Sequence, residues 1–220
     1  MTIRLHHVAG SRSFRILWLL EELGLDYQII PYRLDDGSTR QADFLALSPL
    51  GRVPALEVDG LSIFESGAIA QYLLERHPEA GLAPAPGSAA RARFLEWLHF
   101  AETQGALLEQ LNIQHIFLRP VEARSPVLMK LLTRRLAVTL QAMEARLTRQ
   151  DSLLEGGFSA ADIMLGFNIP AVFRFLSASD YPALAAYGAA MASRPAYLRA
   201  MERSGPQALY AKDFYEIPHG

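Results

Sequence analysis

Apolar positions in residues 1–80 switch between two spacings. Ile3 to Val8 is short and strand-like. From Ser13 a helical spacing brings Ile16, Leu19, Leu20 and Leu23 together, and Gly24 stops it. Tyr27 to Tyr32 predicts a second strand, and Phe44 to Leu47 a short helix ahead of the Ser48-Pro49-Leu50-Gly51 loop. Ala55 to Val58 and Ser62 to Phe64 read as a hairpin across Asp59-Gly60. A helix beginning at Ser66 then buries Ile69, Tyr72 and Leu73. The order is βαβ, hairpin, helix, which predicts an α/β domain with a mixed four-stranded sheet and helices on its faces.

Between His77 and Ser88 the composition changes to HPEAGLAPAPGS, and residues 81–88 read as a linker. Residues 89–220 carry helical patterning throughout and predict an all-α domain. One helix extends from Ala89 to about Leu118, with Gly105 as a candidate bend. Ser125 caps a second, with Pro126 at its first position, ending near Arg149. Ser159-Ala-Ala-Asp162 has capping-box spacing with Asp for the usual Glu, and Phe158 and Ile163 sit where a hydrophobic staple would. Pro170 falls inside that helix and is expected to kink it. Helices Pro182 to Ala192 and Pro195 to Met201 follow.

Composition narrows the chemistry. The chain has 220 residues, half of them hydrophobic and a fifth charged, as a globular protein of one or two domains does. A formal charge of -2 favours neither nucleic acid nor an anionic membrane as partner. There is no cysteine, which excludes a disulfide, a thiolate nucleophile and thiolate metal ligands, and fits a reducing compartment. No stretch approaches the ~18 apolar residues of a membrane span, and the first residues lack a signal-peptide pattern. A cytoplasmic location is the expectation. His6 and His7 are adjacent in a strand and so point to opposite faces, which argues against a metal pair; no metal site is expected.

Gly51 to Leu74, GRVPALEVDGLSIFESGAIAQYLL, is the most specific stretch. Val53 precedes Pro54 and is held extended; with a cis bond its backbone can turn outward and pair with a ligand backbone as an added strand would. Glu65 and Ser66 stand where a helix N-terminus presents free N–H groups to a carboxylate, and Glu65 can meet an amine. An extended, peptide-like ligand with a carboxylate suits these residues. A plain hairpin followed by a helix is the alternative.

Together with SRSFRILWLLEELGLDY near the N-terminus, LSPLGRVPALEVDG and ESGAIAQYL in the first domain, and GGFSAADIML and YPALAAYGAAMASRPAY in the second, this stretch resembles the cytosolic glutathione transferases. The N-terminal wording is most like the serine-type members, among them a fungal and bacterial group with SR-x-x-R-x-LWLLEELG. The resemblance spans nearly the whole chain. It implies a thioredoxin-like domain, a helical bundle, a homodimer, and glutathione as cosubstrate with no tightly bound cofactor.

A glutathione thiol has a pKa of about 8.5 in solution, so a catalyst gains by stabilising the thiolate, which a hydroxyl beside a helix N-terminus can do. The resemblance places that hydroxyl at Ser11, with Ser13 as rival donor or helix N-cap. It places Arg52, Val53, Pro54, Glu65 and Ser66 around glutathione: the Val53 backbone on the cysteinyl segment, Glu65 and Ser66 on the γ-glutamyl end, and Arg52 on the glycine carboxylate or simply in solvent. Arg12 and Arg15 could add positive potential or be solvated. The second-substrate pocket is implied near Val8, Ala9, Gln104, Leu108, Asn112, His115 and Ile116, where surface or packing roles compete. Ser159 and Asp162 read as a structural cap. The implied activity is conjugation of the thiolate to a hydrophobic electrophile. Glutathione-dependent peroxidase activity, or a non-catalytic glutathione-binding carrier of the same fold, are the alternatives.

Overall fold

The computed structural model describes residues 2–217. These fall into two compact units: residues up to Ala83 together with Ser193–Ala208, and Pro84–Ala192 together with the segment from Leu209.

In the first unit, strand β1 (Ile3–His7) pairs parallel with β2 (Gln28–Pro31) and antiparallel with β3 (Ala55–Val58), and β3 pairs antiparallel with β4 (Leu61–Phe64). The order is β2-β1-β3-β4. Helix α1 (Ser13–Glu22) links β1 to β2, α2 (Ala42–Leu47) precedes β3, and α3 (Ser66–Arg76) follows β4. This is a thioredoxin-like domain with a mixed four-stranded sheet. The register puts the biologically interesting loops together: His6 lies opposite Ala55, and Ala55 opposite Phe64. The segment after β1, the loop before β3 and the turn from β4 into α3 therefore emerge at one end of the sheet.

Both faces of the sheet are covered. His6 and His7 point to opposite faces as expected of strand neighbours, yet both are buried. His6 contacts the Tyr32 and Phe44 rings, while His7 faces Ser13 and Ser204.

Helix α1 is buried from Ser13 through Leu20, far beyond one stripe. The reason is a helix that the sequence pattern assigned to the second domain. The Pro195–Ser204 helix belongs to the first unit and packs on α1, where Tyr197 meets the Phe14 and Trp18 rings edge-on at 5.3 and 4.9 Å. Arg194 reaches Glu22 through two hydrogen bonds, and Arg199 and Arg203 reach Glu21.

The second unit is helical. Helix α4 (Ala89–Asn112) passes unbroken through Gly105 and ends in a π-helical turn, Ile113–Phe117, short of the expected Leu118 end as an α-helix. Helix α5 (Pro126–Leu147) starts as predicted, with the Ser125 hydroxyl accepting from the Leu128 N–H. Helices α6 (Ala160–Gly166) and α7 (Ile169–Val172) replace the single kinked helix expected around Pro170. Pro170 stands in the first turn of α7, where its missing N–H leaves no bond unmade, so the chain restarts instead of kinking. Asn168, in the gap, donates to the Ala101 carbonyl of α4 at 3.0 Å, which gives the break a fixed place in the core. Helix α8 (Pro182–Ala192) completes this unit, and the helix on α1 becomes α9 (Pro195–Ser204). No helix among the described residues is long and apolar enough to cross a membrane.

Candidate active site

The loop before β3 is held by short-range chemistry. The buried Ser48 hydroxyl donates to the Arg52 carbonyl at 2.8 Å, and the Gly51 N–H donates to the Ser48 carbonyl at 2.9 Å. Gly51 has φ +62, and a Cβ there would stand 2.9 Å from the Thr39 carbonyl oxygen, so only glycine fits. The Val53-Pro54 peptide bond is cis.

At the turn into α3, Glu65 adopts φ 72 and ψ 115, a region that residues with a Cβ seldom occupy and that active sites collect. Ser66 opens the helix, an end at which the helix dipole favours an anion. Beneath it lies Arg15, which is fully buried and whose Nη1 donates to the Ser66 hydroxyl at 3.1 Å. A buried guanidinium strengthens the positive field at this helix end.

These parts enclose an open cleft of about 60 Å³, lined by Arg12, Ser48, Leu50, Arg52, Val53, Pro54, Phe64, Glu65 and Ser66. That is room for about four waters, the size of a polar end group, so a longer ligand would extend out of it. Two guanidinium groups, one carboxylate and a helix N-terminus suit a zwitterion with a carboxylate and an ammonium. The glutathione set expected from the sequence, Arg52, Val53, Pro54, Glu65 and Ser66, is thus brought together. Ser11 lies outside the lining, next to Arg12.

Ser11 is half-buried and its Oγ is 2.7 Å from Ser13 Oγ. Ser13 is fully buried and is not the helix N-cap considered in the sequence: the cap position is Arg12, with no side-chain cap bond. The Ser13 hydroxyl accepts from the Val8 N–H at 3.2 Å and lies 2.8 Å from His7 Nδ1. His7 Nε2 lies 2.9 Å from the Ser204 hydroxyl. Burial pushes the His7 imidazole down to about 4, against a smaller upward pull from the Ser204 backbone. Gly10, at φ +76, is crossed by Gln207, whose Cβ would stand 2.7 Å from a Cβ at this position.

The expected second-substrate residues are spread over both units. Val8 is buried and Ala9 half-buried in the first. In the second, Gln104 faces the helical core and donates to Thr139 Oγ1 at 3.1 Å; Leu108 is buried. Asn112 donates to the Tyr210 hydroxyl at 3.1 Å. His115 is buried against the Phe175 and Tyr215 rings, and Ile116 is half-buried. Burial, then Arg124 and Lys212, lowers the His115 pKa.

Asp162 is fully buried. It accepts from the Ser159 N–H and hydroxyl, both at 2.8 Å, from the Leu153 N–H at 3.3 Å and from the Tyr187 hydroxyl at 2.6 Å. The Ala161 N–H donates to the Ser159 hydroxyl at 3.3 Å, completing the cap.

Sequence reasoning underrated Arg15 and did not single out His7's bond to Ser13. The signal for Arg15 was present: it stands between Phe14 and Ile16 in a run of apolar residues too long for one solvent-facing stripe. Among the described residues, no three His, Cys, Asp or Glu side chains come together as metal ligands would.

A thioredoxin-like domain whose cis-proline loop and helix N-terminus form an anion-receptive cleft defines a class of thiol- and peptide-handling proteins. Residues 1–75 match the family model described as glutathione S-transferase, N-terminal domain. Glutathione S-transferase 3 of Schizosaccharomyces pombe is 30% identical over 91% of this chain and 87% of its own length. The glutathione transferase URE2P8 from Phanerochaete chrysosporium, solved with oxidized glutathione, is 26% identical, covers 92% of this chain and 94% of its own, and superposes with a TM-score of 0.84. A sphingomonad glutathione S-transferase complexed with glutathione is 31% identical over 91% of this chain and 98% of its own, with a TM-score of 0.77. The chain belongs to the glutathione S-transferase family and is an enzyme of that kind, a glutathione transferase.

Proposed function

We propose that the chain binds glutathione across the first unit and directs its thiolate at a hydrophobic electrophile, in the manner of the serine-type members. The observation that carries this reading is the convergence of the Ser11 segment, the Val53-Pro54 loop and the Glu65-Ser66 helix start at one end of the sheet. Glu65 takes the γ-glutamyl ammonium and the N-terminus of α3 its carboxylate. The Val53 backbone pairs with the cysteinyl segment, and Arg52 faces the glycine carboxylate. Ser11 donates to the sulfur. Arg15 acts from below, through Ser66.

An electrophile needs no group from the protein to supply the nucleophile; glutathione brings it. The protein's part is to hold the thiol as its anion and to leave an apolar partner beside it. We read the assembly as a homodimer. Val127, Leu131 and Val138 support this, being exposed apolar residues at spacings that share a face of α5.

The test of Ser11 is the Ser11→Ala enzyme with an aryl halide. The expected result is a fall in kcat of about a hundredfold, as for loss of an oxyanion donor, with glutathione still binding. Undiminished turnover in Ser11→Ala sinks the assignment. A panel of aryl halides, enones, isothiocyanates and organic hydroperoxides then identifies the electrophile class.

A further inference from the structure

We propose that His7 is a positioning residue for the thiolate: by switching tautomer, it sets through Ser13 the direction in which the Ser11 hydroxyl points. This rests on the reading of Ser11 as the sulfur's donor.

The four groups form one chain. Ser11 Oγ is 2.7 Å from Ser13 Oγ, Ser13 Oγ is 2.8 Å from His7 Nδ1, and His7 Nε2 is 2.9 Å from Ser204 Oγ. Ser13 has one hydroxyl proton and two lone pairs. The Val8 N–H takes one lone pair. The Val8 carbonyl, 3.3 Å away, is a weaker acceptor for the same hydroxyl proton. The two shorter contacts, to His7 and Ser11, are both made only when the remaining lone pair serves one and the proton the other, which leaves two arrangements.

In the first arrangement, His7 carries its proton on Nε2 and gives it to Ser204. Nδ1 then accepts from Ser13, and Ser13 accepts from Ser11. The Ser11 proton is turned inward and its oxygen lone pair faces outward. A thiolate there would meet a lone pair.

In the second arrangement, His7 carries its proton on Nδ1 and gives it to Ser13. Ser13 donates to Ser11, and the Ser11 proton points outward, where it can bond to a thiolate. Ser204 then donates to Nε2. The Ser13 N–H, 3.3 Å from Ser11 Oγ, is an additional donor to Ser11 in both cases.

His7 stays neutral in both arrangements. Its buried ring resists protonation at neutral pH, so the relay acts through the position of one proton and not through a charge. With no anion at Ser11 the resting state is the first arrangement, its Nε2 proton given to Ser204 Oγ at 2.9 Å. A thiolate at Ser11 favours the opposite tautomer. The change conserves protons: as a neutral thiol passes its proton into Ser11, each hydroxyl passes one on, Nδ1 gains one, and the Nε2 proton leaves through Ser204, which is half-exposed. The helix that supplies Ser204 is α9, which packs on α1 from the far end of the chain.

The tautomer can be read on the intact enzyme by ¹⁵N NMR of histidine-labelled protein. The expected result is a proton on Nε2 of His7 in free enzyme and with S-methylglutathione, and on Nδ1 with glutathione bound as thiolate. The same tautomer in all three samples overturns the inference. A second arm measures the thiolate fraction of bound glutathione at neutral pH by ultraviolet difference absorbance. His7→Leu is expected to lower kcat about tenfold, roughly one hydrogen bond's worth of stabilisation, and to lower the thiolate fraction, with KM for glutathione unchanged. His7→Asn, whose side-chain amide stands near the place of Nδ1, is expected to recover most of the loss. A purely structural His7 would lower the melting temperature and leave the thiolate fraction alone, which also overturns the inference. If Ser11→Ala lowers the thiolate fraction and His7→Leu does not, only the relay falls. If Ser11→Ala has no effect on it, the reading of Ser11 falls and the relay with it.

Discussion

Asp162 shows how burial changes what a residue is worth. An N-terminal cap costs about 1 kcal/mol when lost, but this carboxylate is fully buried and accepts from two N–H groups and two hydroxyls. Asp162→Ala leaves those donors without an acceptor and is expected to cost about 3 kcal/mol, while Tyr187→Phe removes one charge-assisted bond and costs about 1.5 kcal/mol. Denaturant midpoints of the two variants check both values, and thiol chemistry in the folded fraction should be unaffected. His7 gives a prediction with a sign. Its ordinary value of 6.5 falls to about 4 on folding, so the unfolded chain binds the proton first. The contribution of His7 to stability is whole above pH 6.5 and is lost as pH falls toward 4, by about 3 kcal/mol. His7→Leu should flatten the dependence of melting temperature on pH across that window. An equally steep profile in the variant would assign the loss to other groups. The cap at Asp162 was legible because Ser159 lies three positions away in sequence, whereas its bonds from Leu153 and Tyr187 were not. The His7 contact was not, because Ser204 stands almost two hundred residues away.

Elements were legible wherever local chemistry sets them. The Asp59-Gly60 turn and the caps at Ser125 and Ser159 are all read from neighbours in sequence, and the structure has each of them. Pro170 was located correctly and its effect was not, because a proline inside a helical pattern can kink a helix or begin a new one. Asn168 bonding to Ala101 decides for the break, and that contact is tertiary. The same holds for α9. Its amphipathic pattern says that it needs an apolar partner, not which one. Its hold on α1 can be tested at Glu22, which accepts two bonds from Arg194 and one from Trp18 Nε1 at 2.9 Å. Glu22→Ala is expected to destabilise the protein by about 2 kcal/mol, because a buried indole N–H and a partly buried guanidinium lose their acceptor. The neighbouring Glu21 is pushed up by burial but drawn further down by hydrogen bonds from Tyr27, Arg199 and Arg203, so its carboxylate stays ionised into mildly acidic solution.

At the scale of the whole molecule, the first unit is not continuous in sequence. Residues up to Ala83 need Ser193–Ala208 to cover Phe14 and Trp18. A fragment of residues 1–83 is therefore expected to expose these rings and to lack a cooperative unfolding transition, and joining residues 193–208 to it should restore one. Cooperative melting of 1–83 alone would show that α9 is dispensable to this fold. What the sequence determined by itself is the α/β first half, the helical second half, the Val-Pro and Glu-Ser motifs and the lack of a protein thiol, since each rests on spacing, turn chemistry or composition. Tertiary structure alone decided that α9 joins the first unit, that Arg15 lies buried under Ser66, and that Ser13 reaches inward to His7. Those outcomes depend on which apolar face finds which partner and which polar group is left to satisfy once water is gone, and neither is written in the spacing of neighbours along the chain.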